Sequence, residues 1–164
     1  MSVASTKDLL SAEQDPPRVS ARDRIFAAAR ELFYRQGIRA VGVDSIAQEA
    51  GATKMSLYRA FESKDELVAE CLKQSEREAW QWWDATVAPH PKDPRAALLA
   101  LFDSLAAKAK TCEKRGCAIG NAAVELTDDS HPARSVVVSC NREKRRRLRA
   151  LCKALGAQDP EVLA

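Results

Sequence analysis

The chain has 164 residues, with 26 Lys and Arg against 23 Asp and Glu and a net charge of +3. That length holds one ordinary domain or two small ones, and so slight a cationic excess excludes a histone-like or polybasic tail protein. It does not exclude a sequence-specific reader of DNA, which needs a local basic surface rather than a large total.

No apolar run reaches the roughly 18 residues of a membrane helix, and the N-terminus MSVASTKDLLSAEQDPPR lacks a signal core, so no membrane partner and a cytoplasmic place are expected. The 5 cysteines, Cys71, Cys112, Cys117, Cys140 and Cys152, are unevenly spaced and read as reduced thiols in that compartment. Alternating strands are almost absent. Val136, Val137 and Val138 form the one strand-like patch, inside a longer helical pattern, so the fold class is all-α.

Residues 1–19 read as a disordered leader ending near Pro16 and Pro17. Ser20, with Asp23 three residues on, caps a first helix. Ile25, Ala29, Leu32 and Phe33 give it one apolar stripe, and Gly37 ends it at Gln36. A connector, Ile38 to Val41, leads to DSIAQEAGATKMSLYRAF from Asp44 to Phe61, two short helices around Gly51. Ile46 and Ala47 supply the apolar face of the first, Leu57 and Phe61 that of the second. Lys54, Ser56, Tyr58 and Arg59 have no core to enter. A helix–turn–helix whose second helix presents donors and a cation suits the major groove of DNA.

Ser63 and Glu66 bracket a second capping box, which starts a long fourth helix running to about Val87 before Pro89 and Pro91. Pro94 opens the next helix, where Leu98, Leu101, Phe102 and Leu105 form a second core stripe. Gly116 and Gly120 break the pattern, so 112–127 holds a short helix with loops. A further helix opens near His131 and Pro132, carries Val136, Val137, Cys140, Leu148, Leu151 and Leu155, and is capped by Gly156. Pro160 starts one more helix four residues before the end at Ala164.

Residues 20–70 resemble the DNA-binding domain of TetR-type transcriptional repressors through Ala28, Ala29, Leu32, Phe33, Gly37, Val43, Ile46, Ala47, Ala50, Gly51, Thr53, Lys54, Leu57, Tyr58, Phe61, Lys64 and Leu67. RGCAIGNAAVEL, Arg115 to Leu126, resembles a segment common in one branch of that family. The resemblance implies a DNA-binding domain over 20–66 and a helical effector-binding and dimerisation domain over 67–164, joined by the long helix. That second domain reads as incomplete, because further dimerisation helices would follow Gly156.

The resemblance also assigns roles. Lys54, Met55 and Ser56 approach base edges; Thr53 caps the recognition helix and reaches a phosphate. Tyr58 and Arg59 contact phosphates or thymine methyls, and Lys64 with the fourth helix's first amides holds another phosphate. Gly42 stands where a capping Thr is common, Ala60 where a His is common, and Met55 where a small residue is frequent. The implied protein is a ligand-responsive repressor, a homodimer on a pseudo-palindromic double-stranded operator, released by a small-molecule effector. The alternative is a helical small-molecule-binding or nucleoid-type protein without specific operator control.

Three features keep two readings each. Trp80 and Trp83 share a helical face and either pack on Phe102 and Leu105 or wall an effector pocket. Phe102, Leu105, Asn121 and Cys140 are further pocket candidates, although Asn121 also suits a backbone kink beside Gly120. Cys112 and Cys117, near Lys114 and Arg115, form a thiol switch or are plain buried cysteines. The run Arg142 to Arg147 with Arg149 spreads around a helix and reads as a solvated face with stems over Leu148. No catalytic constellation, cofactor loop or metal spacing occurs, so the chain is not read as an enzyme and no cofactor is expected.

Overall fold

The structure, a computed structural model, describes residues 19–111 and 115–163. The expected leader, apart from Val19, lies outside the described residues, as does Cys112. Among the described residues every regular element is a helix: α1 (Ala21–Gln36), α2 (Val43–Glu49), α3 (Lys54–Ala60), α4 (Lys64–Val87), α5 (Pro94–Thr111), α6 (Ala118–Glu125), α7 (Pro132–Ala154) and α8 (Pro160–Leu163). None is long and apolar enough to cross a membrane.

Local chemistry sets most helix ends. Ser20 Oγ accepts from the Asp23 amide at 3.1 Å and donates to the Asp23 carboxylate at 2.7 Å, occupying one of the amides a helix start leaves without a partner. Ser63 Oγ accepts from the Glu66 amide at 3.0 Å to start α4. Asp93, the residue before Pro94, accepts from the Ala96 amide at 2.9 Å and caps α5. His131 Nδ1 accepts from the Ala133 amide at 3.1 Å, capping α7, while Nε2 lies 3.4 Å from Asp65 of α4.

α1 packs on α2, α3 and α4 to build the N-terminal head, and α4 continues onto α5, α6 and α7. One buried cluster runs through both halves. It begins with Ile25, Ala29 and Leu32 of α1, passes through Leu67, Val68 and Leu72 of α4, and ends at Ile119, Val137 and Cys140. Burial pushes the Cys71 thiol in this cluster up to about 12. Two ion pairs brace α1 against α4 along the cluster's edge: Arg22 with Glu70 at 2.5 Å, and Arg30 with Glu78 through two bonds of 2.9 and 2.5 Å.

The second stripe is corrected on α5. Ala97 and Leu101 are buried and Leu98 is half-buried, whereas Phe102 and Leu105 are 60% and 49% exposed. Ala97 and Leu101 lie one turn apart, so the small side chain sets the packed face and carries Phe102 outward. Trp80 and Trp83 make their ring contacts with each other and with α7. They meet edge to face at 6.5 Å, and the Arg147 guanidinium of α7 sits 4.5 Å from the Trp80 ring. Trp82 faces α5 instead, donating from Nε1 to Ser104 Oγ at 2.7 Å, with Lys108 4.2 Å over its ring.

Leu67 is completely buried where α4 crosses the head. Leu67→Ala is expected to cost about 2–5 kcal/mol, a large share of an ordinary domain's stability, and urea unfolding reads it as a lowered midpoint.

Acid should loosen the Arg30 brace. Burial raises the Glu78 carboxyl, but hydrogen bonds from Arg30 and Gln74 and the charges of Arg30 and Arg77 outweigh it and hold the group below 4.5. Its contribution is thus complete above the ordinary carboxylate value and fades as the pH falls through the lower folded value. Glu78→Gln is expected to narrow the difference in urea midpoint between about pH 6 and about pH 3.

Candidate nucleic-acid interface and the neighbouring cleft

The turn between α2 and α3 places the second of the two helices. Gly51 takes φ +56, a left-handed conformation that a side chain disfavours, and nothing lies where its Cβ would go. Its amide bonds to the Gln48 carbonyl at 3.1 Å and the Ala52 amide to the Ala47 carbonyl at 2.9 Å, the paired bonds of a Schellman close. Arg24 of α1 adds a third tie, donating from Nε to the Ala50 carbonyl at 3.1 Å. Thr53 then starts α3, its Oγ1 accepting from the Ser56 amide at 3.1 Å.

α3 is pinned by Leu57, which is wholly buried, with Ala60 half-buried beside it and Phe61 buried at the helix end. The opposite face is open. Lys54, Met55, Tyr58 and Arg59 all project from it, Met55 with 66% and Tyr58 with 48% of its surface free. The candidates differ in what already holds them. Lys54 Nζ bonds to Asp44 of α2 at 3.1 Å. Ser56 is half-buried and its hydroxyl shares a 2.9 Å bond with Thr53 Oγ1, which turns it toward the helix start. Lys64 Nζ donates to the Ile38 carbonyl at 2.7 Å and lies 5.9 Å from the Phe33 ring, so its ammonium already knits α4 to the α1–α2 turn. Gly42, before α2, provides no side-chain cap.

Sequence spacing did not point to Asp44 as the partner of Lys54, because the pair spans ten positions across a turn. It also passed over Arg39, an exposed cation on the same turn as Gly42.

Beside the head, a cleft of about 600 Å³ opens between α1, α4, α5 and α6. Its floor is apolar, with Val68, Leu72 and Ala122, and its rim carries Arg30, Glu31, Glu78, Lys108 and Glu125. Of the pocket candidates only Asn121 lines it. The Asn121 amide group also donates to the Arg115 carbonyl at 2.7 Å, the backbone role anticipated beside Gly120. Trp80 and Trp83 lie against α7, Phe102 and Leu105 face outward, and Cys140 is buried in the core.

Of the proposed thiol pair, Cys117 is exposed and Cys112 lies outside the described residues. Cys140 is raised by burial and then by the charge of Glu76. Among the described residues no three metal-capable side chains converge.

Three cations of the basic run on α7, Arg146, Arg147 and Arg149, are paired with carboxylates. Hydrogen bonds from Arg146 and Arg147 lower the Glu143 carboxyl to about 2. Arg147 also reaches Asp84 at 2.5 Å, and Arg149 pairs with Glu161.

Residues 25–71 match the family of bacterial regulatory proteins described as tetR. Over 58 residues the chain is 41% identical to the HTH-type transcriptional activator FasR of Mycolicibacterium smegmatis, covering 35% of this chain and 26% of that one. It is 32% identical over 125 residues to the uncharacterized HTH-type transcriptional regulator YxaF of Bacillus subtilis, covering 73% of this chain and 63% of the relative. The chain therefore spans less than two thirds of the length of either. The crystal structure of SCO4454, a TetR-family transcriptional regulator from Streptomyces coelicolor, superposes with a TM-score of 0.80 at 30% identity, over 87% of this chain and 75% of that one.

The backbone at Gly42 is ordinary, with φ −89, and no atom lies within 4 Å of where a Cβ would stand. Gly42→Thr is expected to add the missing cap and about 0.3 kcal/mol, read by calorimetry as a rise in Tm of about 1 °C. Gly42→Ala, which brings no acceptor, should give none of that gain.

Proposed function

The chain belongs to the TetR family of bacterial regulatory proteins, and from that premise we propose that it is a DNA-binding transcriptional regulator acting as a ligand-responsive repressor. One observation carries the reading. α3 is anchored by Leu57 and Phe61 on one side and leaves Lys54, Met55, Tyr58 and Arg59 exposed on the other, at the end of a turn closed by backbone bonds. A rigid, outward-facing helix with donors, a cation and an apolar tip has the parts that major-groove reading needs.

In this reading Lys54, Met55 and Ser56 meet base edges, and Tyr58 and Arg59 meet the backbone or a thymine methyl. Thr53, the Gly42 amide and the N-terminus of α4 beside Lys64 face phosphates. Asp44 shapes the Lys54 contribution, because the ammonium must leave a 3.1 Å ion pair to bond a base. That exchange penalises an incorrect base, which breaks the pair and offers nothing in return.

The regulator acts in the cytoplasm as a homodimer. Two copies of α3 lie one helical turn of DNA apart on a pseudo-palindromic operator. A small-molecule effector shifts the population toward a state with the wrong spacing between heads, and DNA is released. The cleft beside α1 and α4, with Asn121 on its wall, is the place for that effector: an occupant there touches the head and the second domain together.

Footprinting the DNA upstream of the protein's own gene tests the reading. Protection of a pseudo-palindromic site is expected, with specific binding at least about 10³-fold tighter than binding to random duplex at physiological salt. Absence of protection even at low salt would overturn it. Arg59→Ala is expected to weaken operator and random duplex alike and to reduce the slope of log K against log salt by about 0.9. Lys54→Ala should instead change which bases are preferred, by about 1–3 kcal/mol at the affected position.

A further inference from the structure

α6 reaches across to the end of α1 and completes its hydrogen bonding. Gly37 closes α1 with φ +95, and the next two amides, of Ile38 and Arg39, bond to a side chain rather than to backbone. Glu125 Oε2, from the last residue of α6, accepts from both, at 2.6 and 3.2 Å. Ten positions upstream, Arg115 Nη1 donates to the Arg35 carbonyl in the last turn of α1 at 2.8 Å. Arg115 also lies 3.8 Å from Glu125 Oε1. The signs suit the sites: a cation on the negative end of a helix, and an anion on a concavity of successive amides.

Room for this contact depends on Gly37. A Cβ there would stand 3.0 Å from each oxygen of Glu125. The same turn is held from the other side by Lys64, which takes the Ile38 carbonyl. Residue 38 thus has its carbonyl tied to α4 and its amide tied to α6, while the chain leaving it enters α2 and then α3. Glu125, Asn121 and Ile38 all border the cleft, so whatever displaces α6 there acts on these bonds first.

We propose that Glu125, assisted by Arg115, is a positioning residue: a latch by which α6 fixes the α1–α2 turn and so sets how α3 is presented to DNA. The proposal rests on the reading of α3 as the DNA-contacting helix. It adds that the state of α6 reaches α3 through the Ile38 and Arg39 amides. A carboxylate that only stabilised the fold would add to the melting temperature and nothing else. A latch also governs local opening of the turn and discrimination of the operator.

The full chain tests this with Glu125→Gln, which keeps the side chain's shape, and Glu125→Ala. Hydrogen exchange of the Ile38 and Arg39 amides is followed by NMR against the Leu57 amide. Affinity is measured for a duplex selected from a random pool by the wild type, and for unselected duplex. The expected result for Glu125→Ala is about tenfold faster exchange at Ile38 and Arg39, with Leu57 unchanged, and about tenfold weaker binding to the selected duplex. Unselected duplex, held by charge alone, should change less than about twofold. Glu125→Gln, with a neutral acceptor, should fall between, and it carries the test if the Ala variant does not fold. Unchanged exchange overturns the latch. A lowered melting temperature with unchanged selected-duplex affinity reduces Glu125 to a structural role and also overturns it. Failure of the wild type to enrich any duplex overturns the DNA reading of α3 itself, a result distinct from either of these.

Discussion

The burial of the first two turns of α4 is the constraint on which the rest depends. Leu67, Val68, Ala69, Cys71 and Leu72 are all buried, and they face in more than one direction. A helix buried on one stripe belongs to one layer, whereas one buried on several sides is shared. Here α1, α6 and α7 all pack on α4, so the head and the second domain are built on the same helix. A change in how α6 or α7 packs is felt by the helix that also supports α1, because close-packed side chains leave little slack to absorb it.

Around that shared helix, polar contacts decide direction. The ion pairs of Arg22 and Arg30 with Glu70 and Glu78 are partly exposed, and pairs of that kind add little stability singly. Their effect is to select one rotation of α1 on α4 among those the apolar surfaces allow. The bonds at the α1–α2 turn do the same for the rest of the head. Lys64 and Glu125 take the carbonyl and the amide of Ile38, so that turn is determined by two elements distant from it in sequence.

The outer face of α3 follows from these constraints. Its side chains have no core partners, and its position is inherited from Leu57, from the Gly51 turn and from Arg24 capping α2. Several cations elsewhere are engaged inside the molecule. Arg147 lies on Trp80 and pairs with Glu143 and Asp84, and Arg146 shares Glu143. A net charge of +3 therefore says little about where an anion would bind. Local geometry around α3 says more.

The helix inventory, the helix–turn–helix and, apart from Ser56, the residues on its open face are legible in the chain before it folds. These depend on contacts within three or four positions: Ser20 and Ser63 as caps, Gly37 and Gly51 as stops, prolines at α5, α7 and α8, and apolar stripes on α1, α2 and α3. Period and capping are written in local spacing, so they are legible before folding. Tertiary structure alone decided which of two apolar faces of α5 is buried, leaving Phe102 and Leu105 outside, because Ala97 and Leu101 offered an equally helical alternative. It also decided that Trp80 and Trp83 meet Arg147, that Lys54 meets Asp44, and that Glu125 reaches Ile38 from 87 positions away. Such pairs leave no period in the chain. The Lys54 pair needs the α2–α3 turn closed, and the other two need α4 to have brought α1, α6 and α7 onto one helix.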